Sequence, residues 1–305
     1  MQVTFLGTSA AVPTVDRNVS ALMVQREGEL LLFDCGEGTQ RQMMRFNAGF
    51  GVDDVFFTHY HADHILGLAG LLRTLGLQGR TAPLRLHGPR GASRQLGTLV
   101  KLGMEKVKFP VEIFELRPGD TMPRGEYDLV VGAASHRGEA LGYAIVEHER
   151  LGRFDPDKAR ALGIPEGPAW GRLHRGESVT LGNGDVVTSE QLVGLPRPGR
   201  KLVYSGDSAP CETIVTLARD ADLLIHEATF GEEERERARE TLHSTARDAA
   251  LIARRAEVRR LIMTHISARY SREAPELLAE ARAVFPETTI ARDGMVVEVG
   301  YREEG

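Results

Sequence analysis

Cysteine is nearly absent from the 305 residues, with Cys35 and Cys211 standing alone. Two thiols so far apart cannot build a disulfide framework or a thiolate zinc knuckle, so both are expected to be reduced and packed. Long apolar runs are missing as well. Stretches such as 30–33 fall far short of the roughly 18 residues that a membrane-spanning helix needs, and no membrane partner is expected. Residues 1–8 hold no basic stretch followed by an apolar one and read as a strand running into a loop, so the expected location is cytoplasmic. Lysine is scarce, occurring only at 101, 106, 108, 158 and 201, while the other 33 of the 38 basic residues are arginine. With 43 acidic residues the net charge is −5. That balance argues against a protein that coats nucleic acid through a broad basic face, yet leaves room for a local site.

What is present is the patterning of a layered α/β protein. Apolar stretches of strand length at 22–24, 30–33, 55–57, 84–86, 111–114 and 129–131 alternate with helical patterns at 65–77, 245–255 and 274–285, and a short strand follows at 295–299. No low-complexity tract marks a boundary, so residues 1–305 are read as a single domain. Residues 149–171 differ, because glycine, proline and basic residues crowd there without strand periodicity. They read as a protruding arm or long loop, and loops of that length are commonly functional.

Five apolar runs end in side chains that can hold a metal. They lead to His59, His136, Asp207, the pair His226-Glu227, and His265. Strands sharing one end of a sheet would bring these groups to a single rim, where open α/β sheets usually bind their ligands. The densest cluster is His59-Tyr60-His61-Ala62-Asp63-His64. In extended chain His59 and His61 point the same way, and Asp63 and His64 fall where the next helix starts, so four ligands converge. Imidazole and carboxylate without thiolate suit catalytic zinc, with manganese or iron as alternatives, and this spacing favours two ions.

The run His59-x-His61-x-Asp63-His64, with distant His136, Asp207 and His265, resembles the metallo-β-lactamase superfamily, whose fold is a four-layer αββα sandwich with a dinuclear metal site. Further segments resemble the ribonuclease Z family within it: Phe5-Leu6-Gly7-Thr8-Ser9, Asp34-Cys35-Gly36-Glu37-Gly38-Thr39-Gln40, His226-Glu227-Ala228-Thr229, His243-Ser244-Thr245 and Ser267-Ala268-Arg269-Tyr270. The resemblance implies a zinc-dependent endoribonuclease that removes the 3′ trailer from precursor tRNA, with two Zn²⁺ per subunit (Mn²⁺ or another divalent ion being possible). One ion would be held by His59, His61 and His136, the other by Asp63, His64 and His265, with Asp207 bridging. Asp63 would also accept the nucleophile's proton, and His243, oriented by Glu227, would serve the leaving 3′-oxygen.

The same resemblance implies RNA contacts from Arg17 and Asn18, in a loop where Val15 stands in place of the family's usual lysine, and from Arg269. It gives the arm a glycine-proline tip containing Gly163, Pro165, Gly167 and Pro168, and implies a homodimer in which the arm of one subunit grips RNA cut by the other. Two other readings are a small-molecule phosphodiesterase sharing the metals but not the arm, and a catalytically silent RNA-binding module.

Overall fold

A computed structural model describes residues 1–104, 106–270 and 273–302. The chain divides into two compact units, one built from residues 1–146 and 200–300, the other from 147–199 with the segment after 300.

The first unit holds two seven-stranded sheets. In one, the strands run in the order Val296–Glu298, Gln2–Gly7, Ala21–Arg26, Glu29–Phe33, Asp54–Phe56, Leu84–Gly88, Val111–Glu115. In the other, the order is Thr288–Ile290, Leu261–Thr264, Leu223–Glu227, Lys201–Tyr204, Ala140–Glu147, Tyr127–Ala134, Thr121–Pro123. Alternation along the strands sends Phe5, Leu31, Phe33, Tyr143, Leu202, Ile225 and Ile262 into the core between the sheets. The opposite faces are apolar too, which requires a cover. Leu68, Leu71, Leu72, Leu96 and Leu99 from the helices Leu68–Leu77 and Ala92–Lys101 cover one. Ile214, Val215, Ala249, Ala253 and Leu277 from Glu212–Ala218, Ala246–Arg255 and Pro275–Arg282 cover the other. The four layers are therefore αββα, as the sequence led one to expect.

The pattern at 65–77 is realised as two helices, Ala62–Ile65 and Leu68–Leu77. Between them Gly67 donates its N–H to the Cys35 carbonyl at 2.9 Å, and a Cβ there would lie 2.0 Å from the Gly36 oxygen. Glycine thus lets the ligand-bearing turn press against the 34–36 turn. Cys35 is buried, and burial pushes its thiol up to about 12; Cys211, expected to be packed, is only half-buried.

The second unit is more ordered than the irregular arm read at 149–171. It contains helices Pro156–Ala161 and Pro168–His174, and a hairpin of Val179–Thr180 with Val186–Val187. Ala159, Ile164, Leu173, Val187 and Leu192 form its own small core. Arg150 and Arg197 exchange backbone hydrogen bonds of 2.8 and 2.9 Å at its base. Helices of six and seven residues show too little periodicity to be read, and the prolines that open both read as breakers in sequence although the first turn of a helix tolerates them. Gly163, Pro165, Gly167 and Pro168 are all exposed, while Ile164 between them is buried.

One buried ion cluster ties the two sheets together. Asp54, in the first sheet, accepts hydrogen bonds from Arg85 (2.8 and 2.7 Å), from His87 Nε2 (2.7 Å) and from Arg124 (2.8 Å), which follows the strand Thr121–Pro123 of the second. Burial alone would raise the Asp54 carboxyl, but these donors outweigh it and hold the group well below the usual carboxylate range. A carboxylate depressed by folding stabilises above its unfolded pKa of roughly 3.9, and that contribution fades as pH falls. Asp54→Asn should therefore cost about 3–5 kcal/mol in urea unfolding at pH 7, and the gap to wild type should shrink towards pH 3. A gap equal at both pH values would contradict this account.

Candidate metal centre

The rim where the strands end collects the candidate ligands. His59 follows the strand Asp54–Phe56, and His61 caps the one-turn helix Ala62–Ile65, which carries Asp63 and His64. His136 lies in the hairpin between Tyr127–Ala134 and Ala140–Glu147. Asp207 follows Lys201–Tyr204, and His265 follows Leu261–Thr264 in a left-handed backbone conformation with φ of 56°. His59, His61, His136 and Asp207 offer ligand atoms within 4.8 Å of one another, as do Asp63, His64 and His265.

The Asp207 Oδ2 atom lies between the two sets, 3.7 Å from His59 Nε2 and 3.3 Å from both His64 Nε2 and His265 Nε2. His61 Nδ1 approaches His59 Nε2 to 2.9 Å and His136 Nε2 to 3.2 Å. Tetrahedral zinc with bonds of 2.0–2.1 Å places its ligand nitrogens about 3.4 Å apart, near this spacing. His64 Nε2 is fully buried and lacks a hydrogen bond although two carboxylates face it. A buried nitrogen lone pair beside carboxylates is a seat for a cation, and the residues present fit divalent ions.

Four of the five imidazoles, all but His61, are oriented by a partner outside this set. His136 Nδ1 donates to the Leu242 carbonyl at 2.8 Å, which leaves Nε2 as the ligating atom. His59 Nδ1 pairs with Thr58 Oγ1 at 3.0 Å, and Thr58 in turn donates to Asp34. His64 Nδ1 donates to Asp34 Oδ2 at 2.8 Å. His265 Nδ1 pairs with Thr229 Oγ1 at 2.9 Å, and Thr229 donates to Glu227 Oε2 at 2.6 Å. Tying up Nδ1 fixes the tautomer and turns Nε2 inward. Asp34, Thr58, Thr229 and the Leu242 carbonyl carry this second layer, and sequence reading assigned none of them a role.

Electrostatics sort the same groups. Burial lowers His59, His61 and His136, keeping them neutral and able to ligate. Burial opposes ionisation of Asp207 and Asp63, yet neighbouring histidines hold both carboxyls below their ordinary range. His64 is raised despite burial, because Asp207 and Asp34 flank it.

His243 offers a nitrogen within 4.8 Å of Asp207 and His265, but its Nδ1 is held by Glu227 Oε1 at 2.7 Å. Burial is outweighed by that carboxylate, and His243 is raised to about 9. Its ring thus lies beside the ligand set with Nδ1 committed to Glu227. His226 points elsewhere, with Nδ1 on the Glu227 carbonyl at 2.7 Å, because strand alternation aims only Glu227 at the centre.

The expected RNA contacts fare differently. Arg17 is buried and donates to Thr8 Oγ1 and the Ala291 carbonyl, both at 2.7 Å. It braces its loop from within, which corrects the expectation of a surface contact to phosphate. Asn18 donates to the Glu37 carbonyl at 2.8 Å and is half-buried. Arg269 is exposed and paired with Glu234 at 2.6 Å. Val15 is fully exposed.

Residues 14–265 match the metallo-beta-lactamase superfamily. A ribonuclease Z from Gemmatimonas aurantiaca is 60% identical over 99% of this chain and 97% of its own. One from Myxococcus xanthus is 54% identical over 99% of each. The crystal structure of human tRNase Z, short form, superposes with a TM-score of 0.71 at 29% identity, covering 98% of this chain and all of the other.

Removing the brace should loosen the centre without removing a ligand. Asp34→Ala is expected to weaken binding of zinc by about 10–100-fold, read by competition with a chromogenic chelator. Wild-type affinity in that variant would mean the imidazoles are held by packing alone.

Proposed function

This chain belongs to the metallo-beta-lactamase superfamily and, within it, to the ribonuclease Z family, and we propose that it removes the 3′ trailer from precursor tRNA with two zinc ions per chain, leaving a 3′-hydroxyl on the tRNA and a 5′-phosphate on the trailer. It is a hydrolytic endoribonuclease acting on tRNA. The observation that carries the two-ion reading is the Asp207 carboxylate, whose Oδ2 lies within 3.7 Å of ligand nitrogens from both histidine sets.

His59, His61 and His136 would hold one ion, and Asp63, His64 and His265 the other, with Asp207 shared. When bound, such ions supply charge neutralisation at the phosphate and a more acidic water. The chain's own groups handle protons and position. Asp63 is held by the Ala11 N–H at 2.8 Å and stays ionised, so its carboxylate can receive the proton of the attacking water. His243, charged and anchored on Glu227, can donate a proton to the departing 3′-oxygen through Nε2. Glu227 is itself fixed by N–H groups of Ser208 (2.9 Å) and Thr229 (3.2 Å), so the donor does not swing. We take the enzyme to act as a cytoplasmic homodimer, with the exposed Gly163–Pro168 rim of the inserted unit holding the body of the RNA.

Incubating metal-loaded protein with a precursor tRNA and mapping the product ends tests the reading, which predicts one cut after the discriminator nucleotide. His243→Ala should lower turnover by about 10²–10⁴-fold while metal content and RNA affinity stay near wild type. Loss of metal in that variant would make His243 a ligand instead. Replacing residues 151–196 by a short Gly-Ser linker at the Arg150/Arg197 base should greatly raise KM for precursor tRNA and spare hydrolysis of a small activated phosphodiester. Unchanged tRNA cleavage would remove the arm from substrate binding.

A further inference from the structure

The hairpin that carries His136 has a second side. There a cavity of about 470 Å³ is lined by buried Ala140 and Leu141, by Pro118 and Ala133, and at its exposed side by Arg90 and Arg117. It adjoins the metal centre through the backbone. Leu141 donates its N–H to the carbonyl of Thr58, the residue before His59, at 2.9 Å. Tyr60, between His59 and His61, donates its hydroxyl to the carbonyl of Pro89, next to Arg90, at 2.5 Å. Gly138 on the cavity wall is two residues from His136, at most about 7 Å of chain.

Three carboxylates lie near the arginines, and all are engaged by backbone: Asp120 accepts from the Arg117 N–H at 2.7 Å, and two more hold the neighbouring turn. Glu139 accepts from the Arg90 N–H at 3.3 Å, and Glu115 from the Gly91 N–H at 3.0 Å. They fix the 89–91 turn without engaging a guanidinium. Neither the Arg90 nor the Arg117 guanidinium has a hydrogen bond or ion pair among the described residues, whereas Arg80, Arg85, Arg124 and Arg269 are all paired. Two open guanidinium forks over an apolar lining match the two parts of a nucleotide, its phosphate and its base.

We infer that this cavity seats the first nucleotide of the trailer, with its base against the apolar lining and the phosphate on its 3′ side, the one beyond the scissile phosphate, on Arg90 and Arg117. The inference rests on the ribonuclease reading and adds a place for the strand that departs. The two sides of the centre differ in what they leave open. On the Asp63–His265 side, the loop at 8–18 is tied down by Ala11 to Asp63 and by the pairing of Ser9–Ala10 with Ile266–Ser267. The cavity lies on the His61–His136 side, so an RNA strand crossing both ligand sets has one flank on each. No side chain in the cavity presents a free base-edge reader, since Glu139 is engaged, and the seat should accept any base.

The test compares wild type with R90A/R117A, both substitutions being exposed and outside every core. On precursor tRNA carrying a trailer of several nucleotides, KM should rise at least tenfold, with metal content as in wild type. The slope of log KM against log salt should become shallower by about 0.7, the single-strand value for one phosphate no longer neutralised. In wild type, 4-thiouridine at the first trailer nucleotide should crosslink to residues 133–141 or 117–118. A salt slope equal to wild type, or crosslinks to this cavity from the last nucleotide of the tRNA instead, overturns the inference while leaving the ribonuclease reading intact. Wild type that hydrolyses a small phosphodiester but cuts no precursor overturns the ribonuclease reading and takes the inference with it.

Discussion

Asp34 is the constraint on which the metal centre depends. It follows the strand Glu29–Phe33, is fully buried, and sits in the left-handed region with φ of 57°. Its carboxylate accepts from the Thr58 N–H (2.8 Å) and hydroxyl, from His64 Nδ1 (2.8 Å), and from Tyr204 (3.0 Å), which belongs to the other sheet. One buried anion thereby orients two ligand imidazoles and joins the ends of two sheets. Such a group is costly to bury unless every lone pair is used, and here the donors come from structure that the ligands also need. Rigidity of the site and cohesion of the sandwich at this rim are one property.

The opposite half of the centre has a counterpart in Glu227. Its Oε1 takes His243 and the N–H of Ser208, next to Asp207, while its Oε2 takes Thr229, which holds His265. A single side chain thus links Asp207, His265 and His243 through its two oxygens. The second nitrogen of each ring is held by a different group: a hydroxyl at His59, a carbonyl at His136, the Asp34 carboxylate at His64 and the Glu227 carboxylate at His243.

The ligand set was legible because each member ends an apolar run, and runs that end together reveal a rim before the sheet order is known. Strand alternation puts His59 and His61 on one side, and their ring nitrogens lie 2.9 Å apart. Asp34, Thr58 and Thr229 were not legible as supports, since a polar residue after a strand reads equally well as a turn. Arg17 was misread for a related reason. Nothing local distinguishes a guanidinium that will be buried against Thr8 and the distant Ala291 carbonyl from one left in solvent. In the inserted unit, helices opened by Pro156 and Pro168 and only six and seven residues long carry too few turns for a period to emerge.

Charge poses the remaining physical problem, because a chain of net charge −5 must hold a polyanion. Diffuse attraction is unavailable to it, so affinity must come from cations that are local and unspent. Several surface guanidiniums here, such as Arg80, Arg160, Arg255 and Arg269, are already paired with carboxylates, Arg17 is internal, and Val15 brings no charge. Arg269 can meet phosphate only by leaving Glu234, which subtracts the lost ion pair from what the new contact contributes. Arg90 and Arg117 carry no such debt, and they lie beside the residues gathered around Asp207. On a chain of net negative charge, unpaired cations close to the reacting bond weigh more in where the strand rests than diffuse attraction does, so the charge that weakens general binding also sharpens local placement.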